Sequence, residues 1–371
     1  MIMRDEHSPH LHLLPLIRDP LHAYRMSLGD WDSTIRLARQ GRVLAALAIR
    51  FMEAGDSEAL VPDPVLGHFR AARNYAAYRR QLLWMELTAV ANALPEDLQL
   101  VLIKGAAYIA QDLPMAASRA PNDLDLLVHR DDLDRTEGAL TAAGWALQSL
   151  TEYDQRYYRE WSHELPPMRY PGHPLEVDLH HTIAPVTSRT RADDALLHDG
   201  LRPVPGSRYL VLHPQDQVLH AVIQLVQDSE LTGELRGLVD VDGLIRVHIR
   251  DEEDWNSLIE RAARHNASRI LWYALHYGRN WLGTPVPDDL PLAPPPRWAR
   301  EAMDWVFSRS VLPRIPDRGP SPAQRLADLA AQLRYHLLRM PPKLLARHLL
   351  HKSWKAIRPR KQSPLPPGGE G

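Results

Sequence analysis

Apolar positions recur at helical spacing from about Leu21 to Arg50, where Val43-Leu44-Ala45-Ala46-Leu47-Ala48-Ile49 reads as a buried turn or two. Pro62 and Pro64 are read as breaks. A long helix rich in alanine and arginine is expected from Gly67 to Leu94, with Pro95 ending it. The period then changes. Leu98 to Ile103 is an apolar strand, Gly105 to Gln111 opens a short helix, and Leu113 to Pro121 is loop. Asp123 to Val128 alternates acid with leucine as a second strand. Asp131 to Ala143 is an amphipathic helix closed by Gly144 as a C-terminal cap, and a strand begins at Trp145. Met168-Arg169-Tyr170, the turn at Pro171-Gly172 and the run Leu175 to His180 form a hairpin. Beyond Pro185 the pattern turns helical, at about Pro214–Gln227, Leu235–Arg250, Trp255–His265 and Ser268–Trp281. Proline clusters at 285–296 and 313–322 separate these helices from a last basic segment, and no internal repeat is visible.

Strand, helix, strand, helix and hairpin strand, with helical arms on both sides, imply an α+β fold: a mixed sheet with helices packed on it. Four regions follow: an N-terminal helical region 1–94, a core 95–185, a helical domain 186–320, and a basic amphipathic segment with a disordered tail 321–371. The tail's Pro and Gly content from Ser363 onward predicts the disorder.

The chemistry gathers on the strands. Side chains alternate along a strand, so Leu124, Leu126 and Val128 share one face while Asp123 and Asp125 emerge together on the other. Such neighbouring carboxylates repel unless something positive sits between them. The hairpin strand repeats the pattern, with Leu175, Val177 and Leu179 inward and Glu176, Asp178 and His180 outward. Two carboxylates from one strand and one from another suit a divalent metal, since hard cations prefer carboxylate oxygen. Lysine usage adds a second argument: five lysines stand against thirty-nine arginines, and Lys104 is the only lysine before Lys343. It lies at a strand-to-helix turn beside Gly105, where backbone N–H groups bind anions, so a phosphate contact is one reading. A counter-charge to Asp123 or Asp125 is the other.

The run Lys104 to His180 resembles the polymerase-beta-type nucleotidyltransferase superfamily. More closely, it resembles a poorly characterised bacterial branch with a Lys-Gly pair, an Arg before an Asp-x-Asp-x-Leu-Val strand, and a later Val-Asp-x-His strand. Here these are Lys104-Gly105, Arg119, Asp123 and Asp125 with Leu127-Val128, and Val177-Asp178-Leu179-His180. The resemblance implies Asp123 and Asp125 as ligands shared by two Mg²⁺ ions, and Asp178 as ligand to the metal that activates an incoming hydroxyl. Glu176, on the same face, is the alternative third ligand. The resemblance also implies a nucleoside triphosphate as substrate, with Lys104, Gly105 and Arg119 at its phosphates; Arg119 reads equally as a loop anchor. His180 either orients the acceptor or a metal-bound water, or serves structure. Weaker similarity continues through His213-Pro214-Gln215-Asp216 to Leu235–Ile245. Where the superfamily has Gly-Ser or Gly-Gly, this chain has Lys104-Gly105, and the interval from Gly105 to Asp123 is longer than usual.

Composition narrows the alternatives. An apolar fraction of 44% supplies a core, and 24% charged residues is ordinary for a globular chain. No cysteine is present, which excludes disulfides, thiolate metal sites and cysteine nucleophiles. Met1 to Pro20 lacks a basic-then-apolar pattern and no run approaches twenty apolar residues, so neither signal peptide nor spanning helix is expected and a cytoplasmic location is the default. Residues 329–361 hold nine Lys or Arg and no acid, which leaves the rest of the chain acidic and argues against nucleic acid as a partner. That segment reads as an amphipathic helix either packed on the body or docked on a membrane surface or protein. The His7, His10 and His12 group and the His213 and His220 pair are read as structural. The P-loop, dinucleotide turn, His-Glu-x-x-His helix and Gly-x-Ser-x-Gly elbow are all missing.

The expectation is a Mg²⁺-dependent nucleotidyltransferase that moves a nucleoside monophosphate from a triphosphate, ATP among the candidates, to an unidentified acceptor hydroxyl. The alternatives are a binding or regulatory module without turnover, and a related metal-dependent phosphotransferase.

Overall fold

The chain folds around one mixed sheet of seven strands, in the spatial order β3-β4-β5-β2-β1-β7-β6. This is a computed structural model, and it describes residues 12–53, 55–148, 158–159, 161–227, 231, 233–314, 317 and 319–339. The strands are β1 (Val101–Leu102), β2 (Asp123–Leu127), β3 (Ala146–Leu147), β4 (Met168–Arg169), β5 (Glu176–His180), β6 (Arg202–Pro203) and β7 (Leu210–Val211). Two five-residue strands, β2 and β5, lie parallel at the centre and share five rungs. Every other ladder has two.

The central strands are buried on both faces. Leu124, Leu126, Val177 and Leu179 are sealed on one side, and Asp125 and His180 are buried on the other. A polar face this deep is tolerable only where its groups have partners.

The expected hairpin forms, with β4 antiparallel to β5. One expectation fails: the chain beyond Pro185 is not wholly helical. β6 and β7 form an antiparallel hairpin, and β7 continues the sheet by pairing parallel to β1. The turn residues Pro205-Gly206, with Gly206 in the left-handed region, lie between them.

The long helix runs Asp63–Ala93, four residues earlier than its sequence period suggests. Pro62 is its N-cap and Pro64 sits in the first turn, where the missing N–H has no helical partner to lose. The prolines start the helix and do not break it. From its surface Arg79 Nε donates to Pro121 O at 2.7 Å, and Arg80 donates to Ala117 O. Both bonds hold the loop that feeds β2. In the helical part, Pro214–Gln227 packs at the centre and is almost entirely buried, with Leu235–His248, Glu252–Arg264 and Ser268–Tyr277 around it.

The basic terminal segment is described only to Arg339. The helix Pro322–Arg339 buries Ala327 and Ala331. Arg334 donates to Val226 O at 2.6 Å, and Arg189 N donates to Leu338 O at 3.0 Å, so residues up to 339 pack on the body. Leu344, Leu345, Leu349, Leu350, Trp354 and Ile357 lie outside the described residues, as do His7 and His10. No helix among the described residues is long and apolar enough to cross a membrane.

Candidate active site

Register brings the carboxylates together. In the β2–β5 ladder Asp123 pairs with Glu176 and Asp125 with Asp178, so Asp125 and Asp178 are side by side on one face, with Asp123 two residues upstream. A fourth carboxylate, Glu164, joins from beyond β5, where its backbone bridges antiparallel to His180. Leu165 N donates to Leu179 O at 2.8 Å and His181 N to His163 O at 3.0 Å, which fixes this segment on the sheet.

Asp125 is the best-partnered of the four. Lys104 Nζ lies 2.5 Å from its Oδ1, and His180 Nε2 lies 2.9 Å from the same oxygen. Burial works against its charge, but Lys104 and His180 outweigh that and hold the carboxyl far below the usual range. Asp178 has no such support: its Oδ1 is buried without a hydrogen-bond partner among the described residues. Burial, then Asp125, Glu164 and Asp123, push its pKa up to about 8. Asp123 is raised too, by burial first and then by Asp125. Glu176 turns away from this crowd and pairs with Arg169.

Hard oxygen donors with an orphaned carboxylate oxygen among them fit a divalent cation of the Mg²⁺ kind, which would neutralise what Lys104 cannot reach. His163, Glu164 and His180 make a second grouping, with one ligand atom from each within 4.8 Å of the others. Their imidazoles suit a transition metal better than Mg²⁺. The Nδ1 atoms of His163 and His180 both lack a partner, however, unlike the outer hydrogen bonds that normally orient metal-bound imidazoles.

Lys104 has φ +51°, a left-handed backbone that non-glycine residues seldom adopt. It occupies the place where the superfamily resembled above carries glycine. The local backbone adopts a conformation that favours glycine, while the side chain delivers an ammonium to Asp125. Burial opposes that charge, but Asp125, Glu164 and Asp123 together raise the lysine's pKa above normal. Gly105 follows, and a Cβ there would lie 2.9 Å from Arg119 Nη2, so glycine lets the guanidinium rest on the turn. Arg119 is buried, paired with Asp240 and stacked over the Tyr108 ring at 5.6 Å.

Part of this group lines a cavity of about 250 Å³ between β2 and the helices. Lys104, Gly105, Arg119, Asp123 and Asp125 are on its wall, together with Arg42 and Arg236. The weaker extension of the sequence resemblance has a structural role here. Asp216, fully buried, accepts Arg261 Nε at 2.8 Å and lies 3.2 Å from His265 Nε2. His220 is buried beside the site, and burial, then Lys104 and His180, push its pKa down to about 3.

Sequence reasoning missed Glu164, His163, Arg42, Arg236 and Asp240. Glu164 alternates with no neighbour of its kind, and only its long-range bridge to His180 brings it in. The arginines were hidden by number: nothing in a chain with thirty-nine of them distinguishes these two.

Neither the curated proteins nor the solved structures yield a match to this chain. The family model described as uncharacterised nucleotidyltransferase does match, over residues 27–283, a span that takes in the helices from Leu28–Gln40 onward, the whole sheet and the helices around Pro214–Gln227. The α+β core with its mixed sheet is nucleotidyltransferase-like, and the chain belongs to the uncharacterised nucleotidyltransferase family.

Proposed function

We propose that the protein is a Mg²⁺-dependent nucleotidyltransferase that transfers a nucleoside monophosphate from a nucleoside triphosphate to an acceptor hydroxyl, with release of pyrophosphate. The observation that carries this reading is the register of Asp125 beside Asp178 on parallel strands, with Asp123 upstream and a cationic cavity alongside. Asp123 and Asp125 would hold two Mg²⁺ ions and Asp178 one of them; what favours Asp178 over Glu176 is its unpartnered oxygen, Glu176 being engaged by Arg169. When bound, the ions would offset phosphate charge and lower the pKa of the acceptor hydroxyl.

The chain's own groups do the remaining work. Lys104 keeps Asp125 ionised in the metal-free protein, with His180 donating to the same oxygen. Arg119, resting on Gly105, presents a fixed guanidinium to the phosphates, and Lys104 can turn to them once cations neutralise Asp125. Transfers of this kind depend chiefly on positioning and electrostatic stabilisation. The acceptor hydroxyl would approach on the Asp178 side, near Glu164. The acceptor class is a small molecule, a sugar, a peptide or a protein.

One observation favours a second reading. The Lys104 ammonium already occupies the cationic position beside Asp125. A nucleotide-binding module without turnover would keep such a built-in counter-charge. The test is incubation with each nucleoside triphosphate, Mg²⁺ and an acceptor library, read by pyrophosphate release and product mass. A nucleotidyl mass increment that disappears in Asp123→Asn and Asp178→Asn supports transfer. Nucleotide binding without pyrophosphate under every condition supports the module, and a single phosphate increment would identify a phosphotransferase.

A further inference from the structure

Four cationic side chains line the cavity: Arg42, Lys104, Arg119 and Arg236. Three of them are spoken for. Lys104 pairs with Asp125, Arg119 with Asp240 and Arg42 with Glu234. Arg236, on the first turn of the helix Leu235–His248, has no ion pair among the described residues, and its Nε is buried without a hydrogen-bond partner. An unpaired guanidinium partly withdrawn from water is costly, and an anion in the cavity would meet it.

Resting on the nucleotidyltransfer reading, we infer that Arg236 is a phosphate-binding residue. Its guanidinium takes the terminal phosphates of a polyphosphate chain whose other end lies at Asp123 and Asp125, and Arg119 closes on the same chain from the Gly105 turn. The site thereby selects triphosphates over shorter nucleotides.

The surroundings agree with this. Burial, and then the like charge of Arg119, lower the Arg236 pKa to about 10, while Asp240 and Asp123 act in the other direction. The two guanidiniums share one cavity wall and repel, and an anion between them answers both. A guanidinium's planar fork matches phosphate in a bidentate way that an ammonium does not. Filling the site leaves the net charge of the wall unchanged. Arg42, Lys104, Arg119 and Arg236 offset Asp123, Asp125, Glu234 and Asp240. A triphosphate with two divalent cations adds charges that cancel in turn. The N-terminal helices contribute directly, because Arg42 reaches the cavity from the turn after helix Leu28–Gln40 and holds Glu234, the N-cap of the Arg236 helix.

The test uses the full chain and inorganic tripolyphosphate, which isolates phosphate recognition from base and acceptor. Binding is measured by calorimetry for wild type, Arg236→Met and Arg236→Lys, without metal and with Mg²⁺. Arg236→Met should weaken tripolyphosphate binding by about 10- to 100-fold, in the range of a hydrogen bond to a charged group, and Arg236→Lys should recover only part. The metal-free melting temperature of Arg236→Met should hold or rise, since the substitution removes an unpaired, half-buried charge; a structural arginine would lower it. Asp240→Asn provides a second handle: freeing Arg119 should strengthen tripolyphosphate binding. Equal affinity in wild type and Arg236→Met overturns the clamp, as does a wild type that binds no tripolyphosphate. The two proposals fail separately. Transfer that proceeds with an unchanged triphosphate KM in Arg236→Met sinks the clamp alone, and Arg236-dependent polyphosphate binding without any transfer sinks the reaction alone.

Discussion

Asp125 and Asp178 stand in register on adjacent parallel strands, yet their carboxyls are displaced in opposite directions. Asp125 is held ionised by Lys104 and His180, and Asp178 is pushed up to about 8 by burial and by its acidic neighbours. One site thus holds a carboxylate that is charged at any ordinary pH and a carboxylic acid that is largely protonated at neutrality.

Stability of the metal-free protein should therefore peak near neutral pH. A carboxyl with a raised folded pKa binds its proton more tightly when folded, so Asp178 lowers stability as pH rises from about 4 to 8, with a slope of up to about 1.4 kcal/mol per pH unit. Histidines with depressed folded values act on the acid side. His163, His181 (down to about 4) and His220 (down to about 3) are buried neutral, so stability falls as pH drops below their ordinary 6.5. Urea melts across pH 4.5–8.5 in chelator should show both limbs. Asp178→Asn should flatten the alkaline limb, as should saturating Mg²⁺; an unchanged alkaline limb in the variant would contradict the assignment.

Lys104 carries two separable features, a charge and a left-handed backbone. Removing a partner from a buried pair costs about 3–5 kcal/mol, so Lys104→Met should be strongly destabilised without metal and recover with Mg²⁺. Lys104→Gly loses the same charge but relieves the backbone, and should be about 1–2 kcal/mol more stable than Lys104→Met. Equal stabilities would show that the turn carries no strain.

Gly105→Ala would place a methyl group against the Arg119 guanidinium. Arg119 is buried between Asp240 and the Tyr108 ring and has little room to yield. The expected result is a stability loss of about 1–3 kcal/mol from overpacking, together with weaker triphosphate binding. Thermal shift with nucleotide reads both. An unaltered nucleotide response would mean that Arg119 does not serve the phosphates.

Truncation after Asp328 should destabilise the body, because it removes Ala331 and the Arg334 donation to Val226 O. A loss on the order of 2–4 kcal/mol is expected from the apolar burial and one charged hydrogen bond. Co-sedimentation of the intact chain with anionic liposomes is the companion measurement for the basic residues beyond. A truncated protein as stable as the full chain would refute the packing argument.

Much of the centre was legible because its signals are local. Alternation in Asp123–Val128 and Leu175–His180 put the acids on one face, and the helix Pro214–Gln227 has the bounds its period predicts. What stayed hidden depends on contacts between distant segments. Glu164 reaches the site only through its bridge to His180, and Arg236 only because Leu235–His248 shares a cavity wall with β2. The β6–β7 hairpin had a usable sign in Pro205-Gly206 between Val204 and Tyr209, but its two-residue strands are too short to show a period. Pro64 misled because proline ends a helix in most positions and begins one in the first turn.

The five-rung pairing of β2 with β5, set among two-rung ladders, has a mechanical consequence. Like charges on flexible loops drift apart until their repulsion fades. On a central parallel pair they cannot: a slip of one residue would turn every side chain to the wrong face, and both faces are buried. The acids are clenched like a spring whose ends are pinned to the stiffest beam of the molecule. Capturing a cation then displaces the proton that Asp178 holds at neutrality, with no rearrangement of the backbone.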